Sequence, residues 1–418
     1  MPSVELVAVG TELLLGQLTD TNTAFVAARL AEAGIEVHAT HAIGDNRRRI
    51  ADLITAVLSR ADGAITTGGL GPTVDDVTKE AVCDALGLGV QLDEPALAQM
   101  QAFFASVSRE MRPNNRKQAE VPQGSRVLEN PRGTAPGFVA FAPGGKFVAC
   151  VPGVPREMKP MIADLLVPFL RERFGVREAI YTRVLHTIGI GESEIDHRIE
   201  DLFREGENPK IAVLAHGYRA DVKIMAKTGS SSLAESLIAP LQREIENRLS
   251  GYVFGVDEET PASAIHALLQ VQGRTLAVAE SCTGGRIASA LTAVAGASRS
   301  FAGGVIAYAD EVKVSELGVN PETLERYGAV SAEVAREMAG GVRSRLGAGV
   351  ALATTGVAGP GGGTPEKPVG TVWLATDDGE GVAHAQRVAL AGDRVTVMER
   401  ATTIALGMLW RRLRGQAP

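Results

Sequence analysis

Cysteine is scarce in this sequence of 418 residues: Cys83, Cys150 and Cys282 are odd in number and widely spaced. They supply no disulfide framework and no CxxC zinc pair. No run of about 18 apolar residues occurs, so no membrane-spanning helix is expected. The chain enters an apolar strand within a few residues, without the charged and apolar regions of a signal peptide, and a reducing cytoplasm is the expected compartment. Aromatic residues are only 4%, so the cores must be built from Val, Leu, Ile and Ala. A basic excess is also lacking, since the formal charge is -7. Phosphate-backbone binding needs clustered Lys and Arg. The densest clusters, Arg47-Arg48-Arg49 and Arg411-Arg412 with Arg414, lie in amphipathic helical sequence and read as solvated helix faces. Neither direct nucleic-acid contact nor a membrane partner is expected.

What is plentiful is glycine, with 47 residues, set in a strand–helix alternation. The length exceeds what one hydrophobic core supports, so two or three domains are expected. Strand 4–9, helix 22–33, strand 35–40, helix 48–59 and strand 64–67 imply βαβ units around a parallel sheet. Short strands at 137–142 and 147–151 and a helix over 157–173 close a first domain, 1–174. Residues 175–252 read as a small α+β module, and 251–261 as a linker. A third unit, 258–418, again alternates helix and strand, from strand 276–279 to a last helix over 395–412.

In the third unit, Ala279-Glu280-Ser281-Cys282-Thr283-Gly284-Gly285 lies where a buried strand turns into a helix. Free N–H groups of a first helical turn favour an anion, or an oxyanion beside a nucleophile. The same residues also suit an N-cap with glycines for a tight turn. Tyr308 ends a strand, and Lys313 follows five residues later. A lysine in partly apolar surroundings can take the proton of a serine hydroxyl, although a lone lysine is ordinarily a surface residue. His266 and His384 sit in no Gly-rich turn, and no GxSxG elbow is present. Thr354-Thr355-Gly356-Val357-Ala358-Gly359-Pro360, followed by three more glycines, is either a cradle for phosphate or ribose or a mobile loop. Walker A and GxGxxG spacings are absent.

Near the N-terminus, Gly10-Thr11-Glu12 ends the first strand and Asn22 opens the next helix. Thr66-Thr67-Gly68-Gly69-Leu70-Gly71-Pro72-Thr73 then leads to Asp75 and Asp76. A glycine-rich turn after a strand makes room for phosphate, and grouped carboxylates suit a hard cation. Two acids at a helix start are equally ordinary dipole partners.

Taken together, AESCTGG, the spacing from Tyr308 to Lys313, TGVAGPGGG, KPVGTVW and Gly392-Asp393-Arg394 resemble the C-terminal domain of the CinA family. The resemblance implies a nicotinamide mononucleotide deamidase with Ser281 as nucleophile, Lys313 as base and Tyr308 assisting, and with no metal or other cofactor. Thr283, Gly284, Gly285 and Arg394 would lie near the nucleotide, and Thr355, Gly356 and Gly359 are expected to line its cradle. Cys282 is the rival nucleophile, though it would need a histidine or a helix end to ionise.

GTELLLG, TTGGLGPTVDDVTKE, NPRGTAPGF and PGVPREM are similar to the N-terminal half of the same family. That half implies a molybdopterin-binding-like three-layer domain and metal-dependent cleavage of ADP-ribose to AMP and ribose 5-phosphate. Gly68, Gly69, Gly71 and Thr73 are its expected substrate contacts. Asp75, Asp76 and Glu12, with Asn22 a lesser candidate, are the expected ligands of a divalent cation. The middle module resembles the family's KH-type segment. It has no GxxG loop for clamping RNA, Gly189 and Gly191 being only two apart, so it reads as a spacer or dimerisation element. The whole is expected to be an α/β homodimer acting on nicotinamide mononucleotide and ADP-ribose. The alternative is a molybdopterin-binding or competence-related interaction protein without hydrolase activity.

Overall fold

Parallel strands covered on both faces are buried along their length, as Ser3–Val9 is, with Glu5 its one charged residue. The computed structural model describes residues 2–203, 208–216, 219–381 and 383–416. The chain divides into two compact units, Met1–Tyr181 with Lys227–Ala234, and Thr182–Ala226 with Glu235–Pro418.

In the first unit the six-stranded sheet runs Glu36–Ile43, Ser3–Val9, Gly63–Thr67, Phe147–Val151, Gly137–Phe141, Arg126–Leu128. The first four strands are parallel, and the last two join the sheet by antiparallel pairing, only Gly137–Phe141 running against the rest. Strand periodicity sends Val4, Leu6, Ile65 and Ala149 to one face, beneath helix Thr21–Glu32 and the helical stretch 155–174. It sends Val7, Val9, Ala64 and Val148 to the other, beneath Arg47–Arg60 and Thr78–Leu86. Helix, sheet, helix is the three-layer arrangement expected. The stretch 155–174 is not one regular helix. A π-helical turn, Met161–Leu166, separates Pro155–Pro160 from Val167–Phe174. Pro160 and Pro168 have no N–H to give to the preceding turn, and a widened turn absorbs that loss.

The middle sheet has the order Lys210–His216, Arg219–Thr228, Ala179–Ile188, Val253–Val256. The segment expected to be a linker therefore contributes a strand, antiparallel to Ala179–Ile188. Its four residues were too few to show a period of two. Asp257 then fastens the segment. Its N–H donates to the Val184 carbonyl at 2.8 Å, its carboxylate accepts the Val184 N–H at 2.9 Å, and it pairs with Arg183 at 3.1 Å.

The C-terminal sheet runs Phe301–Ile306, Leu276–Glu280, Val350–Gly356, Thr371–Asp377, His384–Ala389. The first three strands are parallel, and the last two join by antiparallel pairing, only Thr371–Asp377 running against the rest. His384–Ala389 escaped the sequence reading because it is a half-exposed edge strand carrying His384, Gln386 and Arg387. One face of the sheet is large-chained, with Leu276, Val278, Leu352 and Leu374 under helices Pro261–Gln272, Arg286–Thr292 and Arg394–Leu413. The other is nearly all alanine (Ala277, Ala279, Ala351, Ala353, Ala375) and packs against helix Ala332–Leu346.

Both basic clusters of the sequence are at least partly engaged. Arg47 makes a two-pronged pair with Asp84 at 2.6 and 2.7 Å, and Arg412 pairs with Asp378. No described helix is long and apolar enough to cross a membrane.

Candidate functional sites

From Leu276–Glu280 the chain passes to a neighbour on one side, Phe301–Ile306, then returns across to Val350–Gly356 on the other. Where connections from parallel strands diverge, their C-terminal ends leave a crevice open to ligands. Segments 281–285, 307–313 and 357–363 all leave from these three ends.

Ser281 is buried, and its N–H donates to the Thr354 carbonyl at 3.0 Å. The hydroxyls of Thr283 and Thr354 join at 2.8 Å, tying the turn to the neighbouring strand. One expectation needs correction. The first helical turn does hold an anion, but the anion is the protein's own. Glu280, 1% exposed, accepts the N–H groups of Gly285 (2.9 Å), Ile287 (3.2 Å) and Ala288 (2.8 Å). A carboxylate at the end of the buried strand thus satisfies helix Arg286–Thr292 from inside. Among the described residues, the Thr283 N–H has no acceptor, while the Cys282 N–H faces its own thiol.

Lys313 is 1% exposed, far from the ordinary lysine at a surface. Its Nζ donates to the Tyr308 carbonyl at 3.1 Å and to Asp310 at 3.0 Å; no hydrogen bond joins it to Ser281. Tyr308 stands exposed, and its hydroxyl accepts from Arg394 at 2.8 Å. Arg394 also donates to the Gly359 carbonyl at 2.7 Å, so one guanidinium links the tyrosine to the glycine-rich loop. Asp393 caps helix Arg394–Leu413 by accepting the Thr396 N–H at 2.8 Å, which sets Arg394 at the helix start.

Burial pushes the Cys282 thiol up to about 12, and the charge of Glu280 adds to this, while Arg394 and Lys313 oppose it. Cys282 is a thiol near neutrality and a poor nucleophile. Iodoacetamide at about pH 8 should therefore leave Cys282 of the native chain unmodified, as peptide mass mapping would show.

Not every expected contact presents itself to a ligand. The Thr355 hydroxyl donates to the Ala329 carbonyl at 2.8 Å, and Gly356 packs against Thr371 and Val372. Gly284 and Gly285 lie against Met398 and Ile306. His266 is a core histidine, bonded to the Ser300 hydroxyl at 2.7 Å and the Leu291 carbonyl at 3.0 Å.

In the first unit, a cavity of about 620 Å³ opens at the strand ends and is lined by Glu12, Gly68, Gly69, Gly71, Asp75, Asp76 and Glu157 among others. Gly68 and Gly69 have φ of 102° and 67°, and a Cβ on Gly68 would stand 2.3 Å from the Val9 carbonyl oxygen. Only glycine lets this turn pass so close to the first strand. The acids are less convergent than expected. Asp76 accepts the Thr73 N–H at 2.9 Å and the Thr73 hydroxyl, so it braces its own turn. The hydrogen bond to Thr73 also lowers the carboxyl of Asp75 below its usual range, with a smaller pull from Lys117. The Glu12 carboxylate lies over Gly10. Asn22 donates to the Gly153 carbonyl at 2.7 Å, and its side-chain oxygen is buried without a partner. Among the described residues, no three His, Cys, Asp or Glu side chains form a cluster that could hold a metal ion. The sequence reading missed Glu157, buried at the same cavity and bonded to Asn130 at 2.7 Å.

Comparison with known proteins covers the same segments. Residues 258–413 match the CinA C-terminal domain, 182–255 the damage-inducible protein CinA KH domain, and 5–172 the family described as "Probable molybdopterin binding domain". The chain is 44% identical over 412 residues to a competence-damage inducible protein of Moorella thermoacetica, covering 99% of each chain. It is 44% identical over 420 residues to one of Symbiobacterium thermophilum, covering 98% of this chain and 99% of that one. A crystal structure of competence/damage inducible protein CihA from Agrobacterium tumefaciens is 41% identical, with a TM-score of 0.36, over 37% of this chain and 93% of that one. With identity of that order sustained from end to end, the chain belongs to the CinA family.

Proposed function

We propose that the C-terminal unit hydrolyses the amide of nicotinamide mononucleotide through an acyl-enzyme on Ser281. The observation that carries this reading is the burial of Lys313, whose Nζ is held by the Tyr308 carbonyl and Asp310 just after the strand that pairs with the one leading to Ser281. Ser281 Oγ attacks the amide carbon while Lys313 Nζ takes the hydroxyl proton. The Thr283 N–H is the unoccupied donor for the oxyanion, a role the Glu280-bound amides cannot share. The C–N bond breaks, the proton passes to the leaving nitrogen and ammonia departs. Water then cleaves the ester, releasing nicotinic acid mononucleotide and restoring Ser281. Arg394 is the cation for the nucleotide phosphate, since Glu280 already fills the helix terminus. Arg394→Ala should raise KM about tenfold or more with a smaller change in kcat, as steady-state ammonia assays would register.

A second reading applies to the first unit, where the cavity and its glycine-rich turn favour cleavage of the diphosphate of ADP-ribose. The acids present do not form a metal cage by themselves, so no step is assigned to a cation. A cation requirement would enter with the substrate's diphosphate.

Incubating the full chain with each substrate, with and without chelator, tests both readings. Ammonia release that survives chelation and ADP-ribose cleavage that does not are the expected results. Absence of ammonia overturns the first reading, and intact ADP-ribose overturns the second.

A further inference from the structure

We propose that Glu157 is the catalytic acid–base of the N-terminal cavity. The inference rests on the diphosphate-cleavage reading and assigns a residue that the sequence patterns did not.

The other acids lining the cavity are committed to their own turns or more open to solvent, Glu12 being half-buried with its carboxylate over Gly10. Asp45 accepts both the N–H and the hydroxyl of Thr11 at 2.8 Å, Asp76 accepts the same two groups of Thr73, and Asp75 is exposed. Glu157 is different. It lines the cavity while only 8% exposed, and it has no ion-pair partner among the described residues. One carboxylate oxygen takes the Asn130 amide at 2.7 Å, and the other accepts no hydrogen bond there. A buried carboxylate without a cation is costly, and a glutamine would hold Asn130 as well. Glu157 thus combines burial, a fixed hydrogen-bond partner and a place on the cavity wall.

Two motifs are built around that carboxylate. Asn130, 2% exposed, also donates to the Ala135 carbonyl at 2.8 Å and accepts the Arg132 N–H at 3.1 Å. Its own carbonyl accepts from Gln99 at 2.7 Å, so its orientation is fixed. A Cβ on Gly133 would stand 2.0 Å from the Glu157 carboxylate, so the Asn-Pro-Arg-Gly turn closes around it only because residue 133 lacks one. The NPRG and PGVPREM patterns thereby share one purpose: seating a single acid.

In the step assigned to it, Glu157 accepts a proton from a water whose oxygen attacks one phosphorus of the diphosphate. The new P–O bond forms as the bridging P–O bond breaks, and the leaving phosphate takes the electron pair. Glu157 then returns the proton to that phosphate or to solvent, so water is the only co-reactant consumed.

Glu157→Gln in the full chain keeps the size and the Asn130 bond. At saturating magnesium, kcat for ADP-ribose cleavage should fall by about 10²-fold or more. ADP-ribose binding, measured by calorimetry, should stay within about threefold of wild type, and ammonia release from nicotinamide mononucleotide should be unchanged. Wild-type cleavage by E157Q overturns the assignment while leaving the cavity's reading intact. Loss of binding together with activity, or recovery of activity at higher magnesium, makes Glu157 a structural or metal-holding residue and also overturns it. A wild-type chain inert toward ADP-ribose removes the cavity's reading and this assignment with it.

Discussion

Ser281→Ala should lower ammonia release from nicotinamide mononucleotide by about 10³-fold or more, equivalent to at least about 4 kcal/mol of lost transition-state stabilisation. The fold should survive. The Ser281 anchor to Thr354 is through its backbone N–H, and the clamps on the turn come from Glu280 and Thr283. The thermal midpoint should therefore move little while turnover disappears. Cys282→Ala in the same assay should keep most of the activity, because its thiol is held protonated by burial. Lys313→Met should resemble Ser281→Ala in kcat. The Asp310 it leaves behind is exposed, so water replaces the lost partner at small cost. Activity in Lys313→Met near that of wild type would remove the base from the scheme even if Ser281 stood.

The second large effect is on stability. Gly341 lies in helix Ala332–Leu346 where it passes the end of helix Asp310–Leu317, and a Cβ there would stand 1.8 Å from the Leu317 carbonyl oxygen. No rotamer relieves a clash with backbone, so the two helices must separate over the alanine-lined face of the sheet. Gly341→Ala should cost on the order of 3 kcal/mol, despite the better helix propensity of alanine, lowering the midpoint of the C-terminal unit by roughly 6–12 °C. Calorimetry of the full chain reads this directly, and an unchanged midpoint would contradict the packing. Helix Asp310–Leu317 carries Lys313, so the same substitution should also reduce ammonia release below the new midpoint.

Much of the architecture was legible because burial and periodicity agree locally. Ser3–Val9 and Leu276–Glu280 are buried along their whole length and read as strands without ambiguity. Helix Ala332–Leu346 carries both of its end signals in the sequence, Ser331 capping its start and Gly347 following its end in the left-handed conformation. Strand Val253–Val256 was too short for its period to show, and His384–Ala389 carries polar residues on an exposed edge. The turn at Ser281 was recognisable, but not the role of the residue before it. A glutamate ending a buried strand, five residues ahead of a helix-opening glycine, could have suggested an internal cap, yet only the folded backbone shows three N–H groups meeting it. Asp76 was read as a candidate ligand because sequence cannot say whether an acid faces a cavity or its own turn. Glu157 was passed over for the converse reason. Its distinction comes from Asn130 and Gly133, which lie 27 and 24 positions away and reach it through the tertiary fold.

The most direct test of the serine scheme is to quench the full chain with acid during its first turnovers of nicotinamide mononucleotide and map the mass of the peptide spanning the AESCTGG turn. A covalent nicotinoyl nucleotide on the oxygen of Ser281 is the predicted result. The same group on Cys282, or a peptide that stays bare while ammonia accumulates, would contradict it.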